Sequence, residues 1–197
     1  MVKKDQEIPG NLVVTGIIKK ILSILLLFLS ISLMTIILTF NSTDKGWGVV
    51  SDKTPTNLYD EIGAWLSGLI VKELGVFPGF LLSLILVIWS LKLFNNSKIT
   101  FLKIKLSAIF LLVSLSSIGG TYLESILVKT FNLNFPLISQ RGLSEWLLLY
   151  FSNGIFKFLG VNLITSESII GASSFVISLI LFIWILSLGS AEIKFLK

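Results

Sequence analysis

Asp60 and Glu61 stand side by side in the stretch NLYDEIGAWLSGLIVKELG, Asn57 to Gly75, and Lys72 and Glu73 follow near its end. Two carboxylates can act as general acid and base when a fold holds them at a set separation and drives their acidities apart. On a helix, adjacent side chains diverge, so Asp60 and Glu61 make no dyad and Lys72 and Glu73 no i,i+4 ion pair. These four charges read as the ends of an interfacial helix, with an ion or proton relay as the alternative. The chain holds no Cys and no His, which removes thiolate nucleophiles, imidazole bases, disulfides and the usual zinc, copper and haem ligands. No GxxxxGK[ST] phosphate loop occurs either. Ser114, Ser116 and Ser117 lie in an apolar run without an acid or base beside them, and read as hydroxyls bonded to their own helix or to a neighbour. No catalytic, cofactor-binding or metal-binding residue is expected.

The elements that carry these residues follow from hydropathy. With 54% hydrophobic residues and a mean hydropathy of +0.93, the chain reads as an integral membrane protein. A helix needs roughly 20 apolar residues to cross the hydrocarbon core, and four segments qualify: 21–40, 78–94, 106–122 and 169–188. The second places Pro78 in its first turn, where a missing N–H costs nothing, and Lys92 near its end, where a long stem can lift the ammonium to the headgroups. None of the four contains an Asp or Glu. Trp89 and Trp184 fall near span ends, as interfacial indoles do. SSIGG, Ser116 to Gly120, reads as close helix packing or a bend.

Three further helices are too short or too charged to cross: 57–74, 122–132 and 143–159, with a loop around Pro136 and Gly142. In the first, ten uncharged residues, Ile62 to Val71, lie between the charged pairs. Ala64, Ser67, Gly68, Val71 and Gly75 recur at three-, four- and seven-residue spacing, a small-residue face on which another helix could pack. The expected fold is all-α: one membrane domain over 1–197, four transmembrane helices, and interfacial or re-entrant helices in the two outer segments.

Orientation follows from the lysines. Lys3, Lys4, Lys19, Lys20, Lys92, Lys98, Lys103, Lys105, Lys194 and Lys197 fall on one side, ten of the sixteen basic residues, whereas eight of the eleven acids fall on the other. Because basic residues are retained in the cytoplasm, both termini are expected there. The first apolar run is too long for a signal-peptide core and LTFNSTDKG offers no small-x-small cleavage site, so it should remain as an anchor.

LTFNSTDKGWG directly after the first span, followed by NLYDEIGAWLSGLIVKELG before a span containing proline, resembles the amino-terminal four-span domain of the FtsK/SpoIIIE DNA translocases. The residues that carry the resemblance are Ser42 or Thr43, Asp44, Trp47, Asn57, Gly63, Ala64 and Gly75, with Gly68 on the same small face. Lys45 stands where that family often has Pro, Ser67-Gly68 where it has Ala-Asp, and RGLSEW replaces its Gly-rich entry to the fourth span. The resemblance implies a multi-pass protein of the bacterial inner membrane, at the division septum. It would anchor a cytoplasmic ATP-driven motor that moves chromosomal DNA, with linker and motor lying outside this chain. Implied partners are the lipid bilayer, further copies of itself and other division proteins, with no nucleic-acid contact by this segment. A small oligomeric channel, its pore between subunits, is the alternative in a different functional class.

Overall fold

The computed structural model describes residues 10–95, 97, 99, 101–131, 142–160 and 162–186. Six helices follow one another: α1 (Gly10–Leu38), α2 (Asp60–Leu69), which runs on into a π-helical turn (Ile70–Leu74), α3 (Val76–Phe94), α4 (Leu102–Phe131), α5 (Leu143–Leu159) and α6 (Leu163–Leu186). Four contain stretches long and apolar enough to cross a membrane: Gly16–Leu38, Val76–Phe94, Leu102–Val128 and Leu163–Leu186. The protein is thus all-α with four spans, as its apolar runs led us to expect.

Serine joins α1 to α3. Ser23 and Ser30 lie seven residues apart on α1, and Ser83 and Ser90 seven apart on α3. In antiparallel register, Ser23 Oγ donates to the Ser90 carbonyl at 2.9 Å, Ser90 Oγ returns a bond to the Ser23 carbonyl at 2.8 Å, and Ser30 Oγ reaches the Ser83 carbonyl at 2.7 Å. Small side chains let the backbones approach, and each hydroxyl finds an acceptor that lipid could not supply. Helices α4 and α6 meet through glycine. A Cβ on Gly119 would stand 2.6 Å from the Phe175 backbone, and one on Gly171 would run into Tyr122. SSIGG is therefore a packing surface, and the helix continues unbent in secondary structure through it. Phe77 and Phe175 meet beside it with ring centroids 5.0 Å apart. The main core joins Leu81, Ile85 and Trp89 of α3, Leu112 of α4, and Ile185 and Leu186 of α6.

Several sequence expectations are corrected. No separate helix starts at residue 122: α4 continues to Phe131, so YLESILVKTF prolongs a span. Glu124 and Lys129 had marked that stretch as interfacial, yet a helix end tolerates charges where polar groups meet them. Helix α6 begins at Leu163 and not at Ile169, because Asn162 caps it, its Oδ1 accepting from Thr165 N at 2.8 Å and Thr165 Oγ1 at 2.6 Å. Glu124 and Glu167 therefore both belong to spanning helices, against the expectation that no span holds an acid. Helix α1 already runs from Gly10. Lys92 does not reach out to headgroups: it is buried, and its Nζ donates to the Leu186 carbonyl at 2.7 Å. A buried ammonium must keep hydrogen-bonded partners, and this carbonyl is one of them. Trp89 is likewise buried in the core, its indole against Ile185 O at 3.4 Å, whereas Trp184 is exposed. The expected loop around Pro136, the last two residues of the fourth expected span and the terminal lysines lie outside the described residues.

Candidate functional site

The end of α1, the α1–α2 loop, α2 and the π turn form one polar assembly, built around two buried side chains. Asp44 is 7% exposed and accepts hydrogen bonds from Thr56 N at 2.9 Å, Thr56 Oγ1 at 3.1 Å and Asn57 N at 3.1 Å, so its carboxylate ties the two ends of the loop together. Asn57 is 3% exposed. Its Nδ2 donates to the carbonyls of Ile36 at 3.0 Å and Thr39 at 3.1 Å, while its Oδ1 accepts from Tyr59 N at 3.1 Å. A helix leaves its last carbonyls without partners; here one amide side chain satisfies two of them at the end of α1 and also turns the chain into α2. That use of residues 57–59 is why α2 starts at Asp60, which adopts a left-handed φ of 49°, and not at Asn57.

The glycines fit around this amide. Gly63 leaves the space that the Asn57 side chain fills; a Cβ there would collide with Asn57 Oδ1. Ala64 and Gly68 are buried, but their partner is not a helix as the small-residue face suggested. The loop itself crosses that face: a Cβ on Gly46 would lie 2.8 Å from Ala64 O, and one on Gly68 would lie 3.1 Å from Trp47 Cβ. Gly75 separates the π turn from α3 with a φ of 92°, a conformation that other residues rarely adopt. Every residue singled out in the sequence, Asp44, Trp47, Asn57, Gly63, Ala64, Gly68 and Gly75, thus lies in the loop, in α2 or at the end of the π turn.

Two residues whose roles the sequence did not disclose hold Trp47. Lys72 and Glu73 form no ion pair with each other, as their adjacency implied, yet both converge on this tryptophan. Glu73 Oε1 accepts from the Trp47 indole N–H at 2.8 Å, and Lys72 Nζ donates to the Trp47 carbonyl at 3.1 Å. Partial burial lowers the Lys72 ammonium from its ordinary value, opposed by the neighbouring Glu73 charge. Glu73 Oε2 also accepts from Leu143 N at 3.2 Å, so the same carboxylate sits at the amino end of α5, where helix N–H groups lack partners. The signal in the sequence was a charged pair set between Val71 and Gly75 of the small face, which reads equally well as a solvated helix end.

Truncating Glu73 tests this clasp. Glu73→Ala removes a charged acceptor from two N–H donors in a partly exposed site, so a cost of about 1 kcal/mol is expected, or roughly a fivefold rise in proteolysis of the loop at Lys45 or Lys53. Unchanged cleavage would show that the Lys72 bond to the Trp47 carbonyl and the ring contact with Trp65, at 5.4 Å between centroids, hold Trp47 without Glu73.

What the assembly can do chemically is hold a shape. It contains no nucleophile paired with a base, and among the described residues no group of three metal-ligating side chains is placed to bind an ion. Its solvent side is apolar: Val50 is 101% exposed and Leu58 and Ile62 are exposed, and Val50, Ile62 and Trp65 border a groove edged by the Lys45–Glu61 ion pair at 3.3 Å.

Compared with known families, residues 16–165 match the family described as the 4TM region of DNA translocase FtsK/SpoIIIE. No curated protein and no solved structure matched the chain. The match runs from α1 into the first turn of α6 and encloses the whole Asp44–Asn57–Glu73 assembly, and the chain belongs to the family of the four-transmembrane region of FtsK/SpoIIIE DNA translocases.

Proposed function

We propose that this domain anchors a DNA translocase in the bacterial inner membrane and localises it to the division septum, serving chromosome segregation through a motor encoded beyond these residues. The observation that carries the reading is the family match over 16–165. The described chain supports it in its own way: a cluster of its polar side chains holds one loop against α2, and the two together present Val50, Ile62 and Trp65 to their surroundings. A fixed loop bearing exposed apolar side chains suits recognition by other division proteins. Self-association would be the second working contact, and nucleic acid would be left to the motor.

Fluorescent protein fused to residues 1–197 should form a band at the constriction of dividing cells, and Val50→Asp combined with Ile62→Asp should disperse it while membrane insertion is retained. A uniform membrane signal from the parent fusion would overturn septal localisation and favour the channel reading. Topology is a separate expectation. Sequence order assigns ten of the sixteen basic residues to one side of the spans, so reporters at Asn96 and after Lys197 should register cytoplasm, and those near Asp52 and Gln140 the opposite side. An Asn96 reporter on the outer side refutes this orientation.

A further inference from the structure

The groove between the α1–α2 loop and α2 lies at a depth that hydrogen bonds to the first span define. Asn57 Nδ2 takes the carbonyls of Ile36 and Thr39, and Tyr59 Oη donates to Ser32 Oγ at 3.0 Å. Ser32 and Ile36 belong to the first span, which runs to Leu38. The entry to α2 is therefore pinned beside the last two turns of α1, at the level where hydrocarbon gives way to headgroups. Leu58 N donates to Thr39 Oγ1 at 3.2 Å, next to Leu38, and the side chains of Leu38, Leu58 and Ile62 are all exposed. The lipid-facing surface of α1 thus continues onto α2. Trp65, one turn after Ile62, is partly exposed on the same side, as indoles at membrane interfaces are.

The groove has a volume of about 590 Å³ and two kinds of wall. Val49, Val50, Ile62, Trp65 and Leu66 make it apolar, and Lys45 and Glu61 stand at its edge. These two pair at 3.3 Å, yet their side chains remain 55% and 68% exposed. Lys45 Nζ gives one of its three N–H donors to Glu61 Oε1, and Glu61 Oε2 accepts from no described residue. A lone anion would be repelled by Glu61 and a lone cation by Lys45. A ligand carrying both charges side by side meets each with its opposite, and an apolar tail on that ligand covers the floor. At this depth a zwitterionic phospholipid supplies all three parts.

We propose that this groove binds one zwitterionic phospholipid of the surrounding leaflet, with its phosphate on Lys45, its ammonium on Glu61 and an acyl chain against Ile62 and Trp65. The site goes beyond the recognition of division proteins proposed above. Its test reads lipid contact in the purified chain, so either reading can fail without the other.

The chain has no cysteine, so Ile62→Cys takes a single bimane label. In nanodiscs of phosphatidylcholine with brominated chains its emission should fall, whereas iodide in the water should act mainly on a label carried by Asp52→Cys. Headgroup choice is read by titrating short-chain phospholipids onto the delipidated, labelled chain in detergent. Phosphatidylcholine and phosphatidylethanolamine should both bind, and phosphatidylglycerol, which offers Glu61 no cation, about tenfold more weakly. Lys45→Glu should weaken both zwitterionic lipids by about tenfold, and adding Glu61→Lys to it should restore them. Both side chains are more than half exposed, so helicity should be unchanged in every variant. Iodide quenching at residue 62 without bromine quenching, equal affinity for phosphatidylglycerol, or indifference to Lys45→Glu each overturns the proposal.

Discussion

Asn57→Asp is expected to release the α1–α2 loop at a cost of about 2–4 kcal/mol, comparable with breaking a buried hydrogen-bonded network. The change is nearly isosteric, so packing around Gly63 is kept and the loss isolates one chemical property. Nδ2 is the donor that faces Ile36 O and Thr39 O. An aspartate in its place would point a charged acceptor at two carbonyls and strand all three in a 3%-exposed site. Asn57→Ala should cost less, because it leaves the carbonyls unpaired without adding a charge. The measurement is thermal unfolding in detergent together with protease cleavage at Lys53. An aspartate variant as stable as the parent would show that the amide is not the donor holding the end of α1.

Gly119→Leu is expected to separate α4 from α6. A Cβ at this position would meet the Phe175 backbone at 2.6 Å. Backbone cannot rotate away as a side chain can, so even Gly119→Ala should cost about 1–3 kcal/mol by overpacking, and leucine more. The displacement would also part the Phe77–Phe175 rings and move Gly171 away from Tyr122. Gly154→Leu on α5 is the matched control: nothing lies within 4 Å of a Cβ there, and removing a glycine from a helix interior favours the helix by about 0.5–1 kcal/mol. Reversible unfolding in mixed micelles should rank the three variants leucine at 119, alanine at 119, then leucine at 154 from least to most stable. Equal stability of the two leucine variants would refute close packing at Gly119.

The four spans were legible because a bilayer imposes length and apolarity so strongly that counting uncharged residues locates them. Asp44, Asn57 and Gly63 were legible only through resemblance; composition gives no reason to single out one asparagine. What could not be read was determined by partners distant in sequence. Glu124 looked like the mark of an interfacial helix, yet its carboxylate lies beside Gly75 at the start of α3. Lys92 and Trp89 looked like membrane-surface residues because their positions near a span end fit that role, but the Ile185 and Leu186 carbonyls of α6 claimed both. Gly68 lies against Trp47 of the loop, a partner that was missed because a loop leaves no periodic signature. The seven-residue spacing shared by Ser23–Ser30 and Ser83–Ser90 was available and points to paired helix faces.

The π turn at Ile70–Leu74 sets rotational phase. An α-helix advances about 100° per residue, and a π turn accommodates one residue more than the α turn it replaces. With that extra residue, Lys72 and Glu73 face Trp47 while Val71 stays buried and Gly75 still reaches the head of α3. Losing a single residue here would let the turn close with α geometry and leave Pro78 on its buried face, whereas gaining one would turn everything downstream by more than a quarter of a revolution. Between Leu69 and Gly75, then, the tolerance to length is one-sided: the turn can give up its extra residue and keep the phase of α3, and it has no room to take in another.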